Sequence, residues 1–280
     1  MLRTSSVRVL DDRDRAEATA IVAKDPVANV FVGSRIDVCG LDAWRLGAEM
    51  WGYPATGPLT ALCYAGANMV PVGADASAAR AFADRARRAT RRCSSIVGPS
   101  AQVGPMWAEL EPSWGPARDV RASQPLLAIG DDPTHPADPL VRPVRSSELD
   151  IVLPACIAMF TEEVGVSPVE VDGGALYRAR VADLIRMGRA FARIEDGRVV
   201  FKAEVGAATA TVAQIQGVWV SPELRGRGLG TAGTAAVVRL ARETIAPIVS
   251  LYVNDYNVPA RRAYARIGMR QTGELTSILF

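Results

Sequence analysis

Apolar positions after residue 140 follow the two periods expected of helices and strands. Leu140-Val141-Arg142-Pro143-Val144 reads as a short strand, and Ser146 or Ser147 as the cap of a helix. Leu149, Val152, Leu153, Cys156, Ile157 and Phe160 then recur at helical spacing, with Pro154 as an interruption that moves the expected start later. Gly173 to Gly188 predicts a second helix. Phe191 to Ile194 and Val199 to Val205 predict strands joined at Asp196-Gly197, a hairpin signal. Thr211 to Val220 predicts a further strand, stopped by Ser221-Pro222. A glycine-rich turn leads into an apolar helix over Leu229 to Thr244. Ile248 to Val253 predicts a strand, Pro259 to Ile267 a helix and Gln271 to Phe280 a closing strand. The predicted order is β α α β β β α β α β.

The first half echoes this order. Val7 to Leu10 opens it, and a helix follows from Asp12. Asp25-Pro26 signals a second helix with Val27, Val30 and Phe31 on one face. Strands are expected at Leu59 to Tyr64 and Asn68 to Val72, a helix over Ala76 to Arg92, then strands at Ser95 to Val97 and Gln124 to Ile129. Two readings stand: a degenerate duplication of one fold, or an unrelated α/β domain with the same common alternation. Between the halves, Gly130 to Pro139 (GDDPTHPADP) holds three prolines and three aspartates and reads as a linker. The expected division is therefore 1–129, a linker 130–139, and 140–280.

Composition narrows the chemistry. The chain has 280 residues, 32 basic and 30 acidic, for a net charge of +2, which gives no electrostatic case for nucleic acid or a membrane as partner. Lys24 and Lys202 are the only lysines, and with abundant alanine this points to a high-GC coding bias. Cys39, Cys63, Cys93 and Cys156 are scattered, and His135 is the sole histidine, so no metal-ligand spacing is present and none is expected. A reducing cytoplasm is the expected compartment. Met1 to Arg15 is too charged for a signal peptide, and the longest uncharged run, Met50 to Ala74, is broken by prolines and glycines. The six arginines from Arg80 to Arg92 read as a solvated helix face.

The stretch Gln216 to Gly233, QGVWVSPELRGRGLGTAG, carries the chemistry. A strand ends at Val220, and Arg225-Gly226-Arg227-Gly228-Leu229-Gly230 opens a helix of small residues. First-turn N–H groups lack partners and face the positive end of the helix dipole, so the turn is suited to a pyrophosphate. It lacks the Gly-Lys-Ser/Thr of a P-loop, and its glycine spacing is not that of a dinucleotide fold.

Arg225-x-x-Gly228-x-Gly230 resembles the acetyl-CoA signature of the GNAT superfamily of N-acyltransferases. Val218-Trp219-Val220-Ser221-Pro222 is similar to that family's fourth strand and exit. A second block, Leu251 to Tyr264, is similar to its fifth strand and following helix, with Asn257, Ala260 and Tyr264 in the Asn-x-x-Ala-x-x-x-Tyr pattern and Ile267-Gly268-Met269 at the helix exit. The resemblance covers about Leu140 to Phe280.

It implies an α/β fold with a mixed central sheet flanked by helices, in which strands four and five splay apart. With the echo in the first half it implies two GNAT-like domains in tandem, one degenerate, an arrangement that resembles the mycothiol synthases. It implies acetyl-CoA as cofactor and a primary amine of a small metabolite or peptide as acceptor, attacking directly. Val218, Trp219 and Val220 would line the pantetheine, with the Val220 N–H polarising the thioester carbonyl. Arg225, Gly226, Arg227, Gly228, Leu229, Gly230 and Thr231 would wrap the pyrophosphate. Asn254 and Asn257 would contact the CoA arm, and Tyr264 would protonate the departing thiolate.

The fourth strand offers Gln214 and Gln216 in place of a carboxylate base, so Glu162, Glu163 and Glu204 are the acidic residues expected to meet the acceptor. Plainer roles stand beside these: core packing for Tyr264 and Trp219, helix capping for Asn254 and Asn257, solvation for the arginines and for Glu162-Glu163. In the first half the corresponding turn, Gly73-Ala74-Asp75-Ala76-Ser77, lacks the motif. No cofactor is expected there, and its roles would be to close the acceptor pocket or form a subunit contact. The chain is expected to be a monomer or homodimer. The alternative reading is a non-catalytic acyl-CoA sensor or scaffold, and Tyr264 separates the two.

Overall fold

The computed structural model of the protein describes residues 6–170 and 173–280, and its contacts divide the chain into two units. The first unit holds residues 1–126, 252–255 and 271–280; the second holds 127–251 and 256–270. Residues 1–5 of the charged N-terminal stretch lie outside the described residues.

In the first unit, strand β1 (Arg8–Val9) is followed by α1 (Arg15–Val22), α2 (Val30–Cys39) and the short α3 (Ala43–Leu46). Then come β2 (Glu49–Tyr53), β3 (Ala61–Ala65), β4 (Asn68–Val72), α4 (Ala76–Arg87), β5 (Ser95–Pro99), α5 (Ser100–Trp114) and β6 (Asp119–Ile129), whose last three residues fall in the second unit. β1 to β4 pair antiparallel in sequence order, and β5 joins β4 in parallel. One face buries Leu10, Ile21, Ile36, Leu62 and Val72; the other buries Phe82, Ile96, Met106 and Leu110. Asp25 does not start a helix. Its carboxylate accepts from Ala28 N in a turn, and α2 begins only at Val30.

The second unit runs β7 (Arg142–Pro143), α6 (Leu149–Val164), α7 (Ala175–Arg186), β8 (Ala190–Glu195), β9 (Arg198–Ala208), β10 (Val212–Val220), α8 (Leu229–Thr244), β11 (Ile248–Tyr252) and α9 (Val258–Arg266). Pro154 lies inside α6 and does not delay it. Near a helix start, its missing N–H costs one bond to the solvent-exposed Asp150. Asp196 and Gly197 both take positive φ, 47° and 72°, which makes the tight β8–β9 turn. Val152, Cys156, Tyr177, Val181 and Leu184 pack on one face of this sheet. Behind the other face, α8 approaches so closely that a Cβ on Gly233 would stand 2.6 Å from the Phe201 ring.

The final strand, β12 (Arg270–Leu279), departs from the division expected at the linker. It pairs antiparallel with β5, Leu275 opposite Pro99 and Leu279 opposite Ser95, so residues 271–280 belong to the first unit. Apart from α3, the element order of the two halves is the same.

Candidate active site

The site begins where β10 loses a neighbour. β10 and β11 run parallel and in register at Val212–Ile248, Ala213–Val249 and Gln214–Ser250, after which β10 continues to Val220 without β11 beside it. On its other edge β10 stays paired to β9, with a register shift between Gln216, opposite Glu204, and Trp219, opposite Lys202. This is a bulge, and Gly217 at φ 60° forms it. Ser221 N donates to Val200 O at 3.0 Å. Main-chain groups alternate along an antiparallel pair, so those of Trp219 and Ser221 point to β9 while those of Val218 and Val220 point into the splay.

The Arg–Gly turn lies beside this strand end. Gly226 and Gly228 hold φ 76° and 84°, values glycine adopts without strain, and Arg225 to Gly228 are all exposed. Gly228 is the N-cap of α8 and no side chain caps it; Thr231 N and Ala232 N bond back to its carbonyl at 3.0 and 3.1 Å. Thr231 is buried, and a Cβ on Gly230 would touch Val220 Cγ2 at 3.6 Å. Arg225 is already engaged. Its Nε donates to Val220 O at 3.0 Å and its Nη2 to Glu162 Oε2 at 2.8 Å. Glu162 also receives the Trp219 indole N–H at 3.3 Å, and Arg227 Nη2 donates to Glu223 O at 3.3 Å.

Tyr264 sits buried on α9. Burial pushes its phenol pKa up, and the nearby Glu163 carboxylate adds to the rise. Glu163 is exposed at the end of α6. Asn257 caps α9, accepting from Ala260 N at 3.2 Å. Asn254 belongs to the first unit, where its carboxamide oxygen accepts from Gln124 Nε2 at 2.8 Å. The expectation that Asn254 contacts the CoA arm thus gains no support, because its side chain is built into a buried polar contact.

Glu204 is not an open acceptor carboxylate, in contrast to the expectation from sequence. It is buried, its Oε1 receives Arg180 Nη1 at 3.2 Å and Gln216 Nε2 at 2.7 Å, and its Oε2 receives Lys202 Nζ at 3.3 Å. Burial pushes its pKa up, but Lys202, Arg180 and the Gln216 hydrogen bond together hold it below the ordinary carboxylate value. Lys202, itself buried, also reaches Cys156 Sγ at 3.7 Å. Lys202, Arg180, Gln216 and Cys156 carry no family motif. The visible signal is Lys202-Ala203-Glu204 inside the apolar run Val199 to Val205, which strand alternation places on one face. Among the described residues no cluster of three or more His, Cys, Asp or Glu suits a metal ion, and no helix is long and apolar enough to cross a membrane.

The first unit has the same parallel pair built differently. β4 and β5 are in register at Asn68–Ser95 and Met69–Ile96, and beyond that the Pro71 ring and Val103 side chain lie 3.5 Å from where a Cβ on Gly98 would be. Pro71 has no N–H to offer. The start of α4 is self-capped, with Asp75 accepting from Ala78 N at 2.8 Å and Gln102 accepting from Ala74 N at 3.1 Å.

Comparison with known families matches residues 177–269 to the acetyltransferase (GNAT) family and residues 48–152 to a domain of unknown function, DUF4081. The second half of the chain carries a GNAT acetyltransferase domain. That makes the protein an acyltransferase of the N-acetyltransferase class. GNAT-fold structures cover nearly the whole chain. A tandem GNAT protein from the clavulanic acid biosynthesis pathway shares 15% identity with TM-score 0.56, each chain covered to 98%. A GNAT-family acetyltransferase from Colwellia psychrerythraea shares 11% identity with TM-score 0.59, covering 98% of this chain and 99% of that one. A GCN5-related N-acetyltransferase from Sphaerobacter thermophilus shares 18% identity with TM-score 0.57, covering 98% and 95%. These likenesses concern the fold. No curated protein matches the chain.

Proposed function

We propose that the protein transfers an acetyl group from acetyl-CoA to a primary amine on a small metabolite or peptide, with the chemistry in residues 140–280. One observation carries this reading: the main-chain groups of Val218 and Val220 face a gap between β10 and β11, and an open, uncapped Arg–Gly turn lies beside it. A pantetheine arm fits the first, since a strand edge that has lost its partner offers donors and acceptors in alternation. A pyrophosphate fits the second. Acetyl-CoA supplies the acetyl group as a thioester.

The chain's own groups then have distinct tasks. The N–H of Val220 polarises the thioester carbonyl. The amides from Gly226 to Thr231 hold the pyrophosphate, and Arg225 joins them by leaving Val220 O and Glu162. Tyr264, whose phenol stays neutral because of burial, gives its proton to the sulfur as the carbon–sulfur bond breaks and the carbon–nitrogen bond forms. The proton lost by the amine restores the phenol. Of the three acidic residues expected at the acceptor, Glu162 and Glu163 are exposed; Glu163 is the one whose charge is felt by Tyr264, and Glu162 is released when Arg225 moves. The first unit is a degenerate copy whose splay and helix start are filled by its own Pro71, Val103, Asp75 and Gln102. Four free cysteines fit a reducing cytoplasm.

Differential scanning fluorimetry with acetyl-CoA, longer acyl-CoAs and dephospho-CoA tests the reading. Acetyl-CoA at 100 times its Kd adds about 2.7 kcal/mol of stability. The same shift in Gly226→Val/Gly228→Val, or none in the wild type, refutes it.

A further inference from the structure

Lys202 stands out from its background. Of 32 basic residues only Lys24 and Lys202 are lysines, so a compact ammonium occurs here in a chain that otherwise uses guanidinium. It lies in the interior strand β9, and its neighbour across β10 is the residue just past the bulge, Trp219. Glu204, its ion-pair partner two residues on, is opposite Gln216, the residue just before the bulge. The pair therefore spans Gly217 from below. A Cβ on Gly217 would stand 3.0 Å from Lys202 Nζ and 2.9 Å from Met159 Cε. Only the absence of a side chain at Gly217 lets the ammonium approach the strand.

The charges do not cancel. Lys202 and Arg180 are cations facing the single carboxylate of Glu204; Gln216 is neutral, and burial raises the Cys156 thiol so that it stays protonated. The cluster carries a net positive charge immediately under the bulge. Replacing a buried ion pair with apolar residues is commonly neutral or stabilising, so its presence is poorly explained by stability.

We propose that Lys202 is a positioning residue for acyl transfer: its ammonium, held under Gly217 by Glu204, fixes the bulge and supplies the positive field in which charge develops on the thioester oxygen. This rests on the function proposed above. A fixed charge in a water-poor site acts at the transition state without reorganising. Removing it is expected to slow the chemistry and leave cofactor affinity in place.

The test compares wild type, Lys202→Met, and Lys202→Met/Glu204→Gln. Three readouts are taken: CoA affinity by calorimetry, thiol release from acetyl-CoA with water and with a panel of primary amines, and the infrared carbonyl stretch of bound acetyl-CoA carrying a 13C label. Lys202→Met is expected to lose about tenfold in thiol release, to keep its CoA Kd within about twofold, and to shift the bound carbonyl to higher frequency. The double variant regains the cluster's net charge through Arg180, but Arg180 is half exposed and is not among the nearest groups under Gly217, so the same losses are expected if the ammonium at that place is what acts. An unchanged carbonyl stretch in folded Lys202→Met overturns the proposal. So does recovery of rate in the double variant, or a loss of CoA binding as large as the loss of rate. A wild type that binds no acetyl-CoA instead sinks the function on which the proposal rests.

Discussion

Arg225 presents a competition that can be measured. Its guanidinium is held by Glu162 and by Val220 O, and the proposed turn of that group to a pyrophosphate competes with both contacts. Glu162→Gln removes the ionic half of that hold, while the glutamine carbonyl still accepts from the Trp219 indole. Both partners are 47% exposed, so the pair belongs with solvent-screened ion pairs, worth about 0.5 kcal/mol. Acetyl-CoA and CoA are therefore expected to bind about twofold more tightly to Glu162→Gln, since 0.5 kcal/mol is about that factor in Kd. Isothermal titration at low and high salt reads it, and the gain should shrink as salt screens the pair. Arg225→Gln supplies the second arm of a double-mutant cycle. In that background Glu162→Gln should have no effect on Kd. Weaker binding by Glu162→Gln alone, or the same gain with and without Arg225, would refute the competition.

Further outcomes follow from the same geometry. Tyr264→Phe should cut turnover by about a hundredfold or more while CoA affinity holds, as read by steady-state kinetics beside calorimetry. The raised Tyr264 pKa means that the folded form resists ionisation. Its contribution to stability is complete below the ordinary tyrosine pKa of about 10 and is lost as pH rises above it. Thermal midpoints of wild type should therefore fall more steeply through that alkaline range than those of Tyr264→Phe. Deleting residues 270–280 strips β5 of an antiparallel neighbour and should collapse the first unit. Circular dichroism or hydrogen exchange would show it, and a deletion variant with an intact first-unit exchange pattern would contradict the pairing.

Local signals were legible where they were complete in themselves. The bounds of α8 match the expectation at both ends, and the Asp196-Gly197 turn is where its dipeptide placed it. Prolines misled in both directions: Asp25-Pro26 reads as a helix start where the chain makes a turn, and elsewhere prolines read as breaks where helices continue. Pro154 reads as an interruption, and α5, with Pro105 and Pro112 inside it, went unread, because tertiary packing of Val103, Met106 and Leu110 outweighs the lost N–H groups. β2 was hidden by Gly52 and Pro54, which flank Tyr53 and read as turn residues. Glu204 looked available because sequence shows a carboxylate but not the three donors that surround it. The placement of β12 had no local signal at all, since a strand's pattern says which face is buried and nothing about which strand lies alongside.

That placement also bears on how the chain folds as it is made. Pro99 waits for Leu275, so the sheet of the first unit stays one strand short while the whole second unit is synthesised. Folding therefore cannot proceed as two finished modules in order of translation, and contacts of such long sequence separation slow it. An exposed β5 edge is in the meantime open to the wrong partner, including the β12 of another copy. The two halves are coupled in their biogenesis, whatever their separate chemistry, and a gene split at the linker should yield neither half in soluble form.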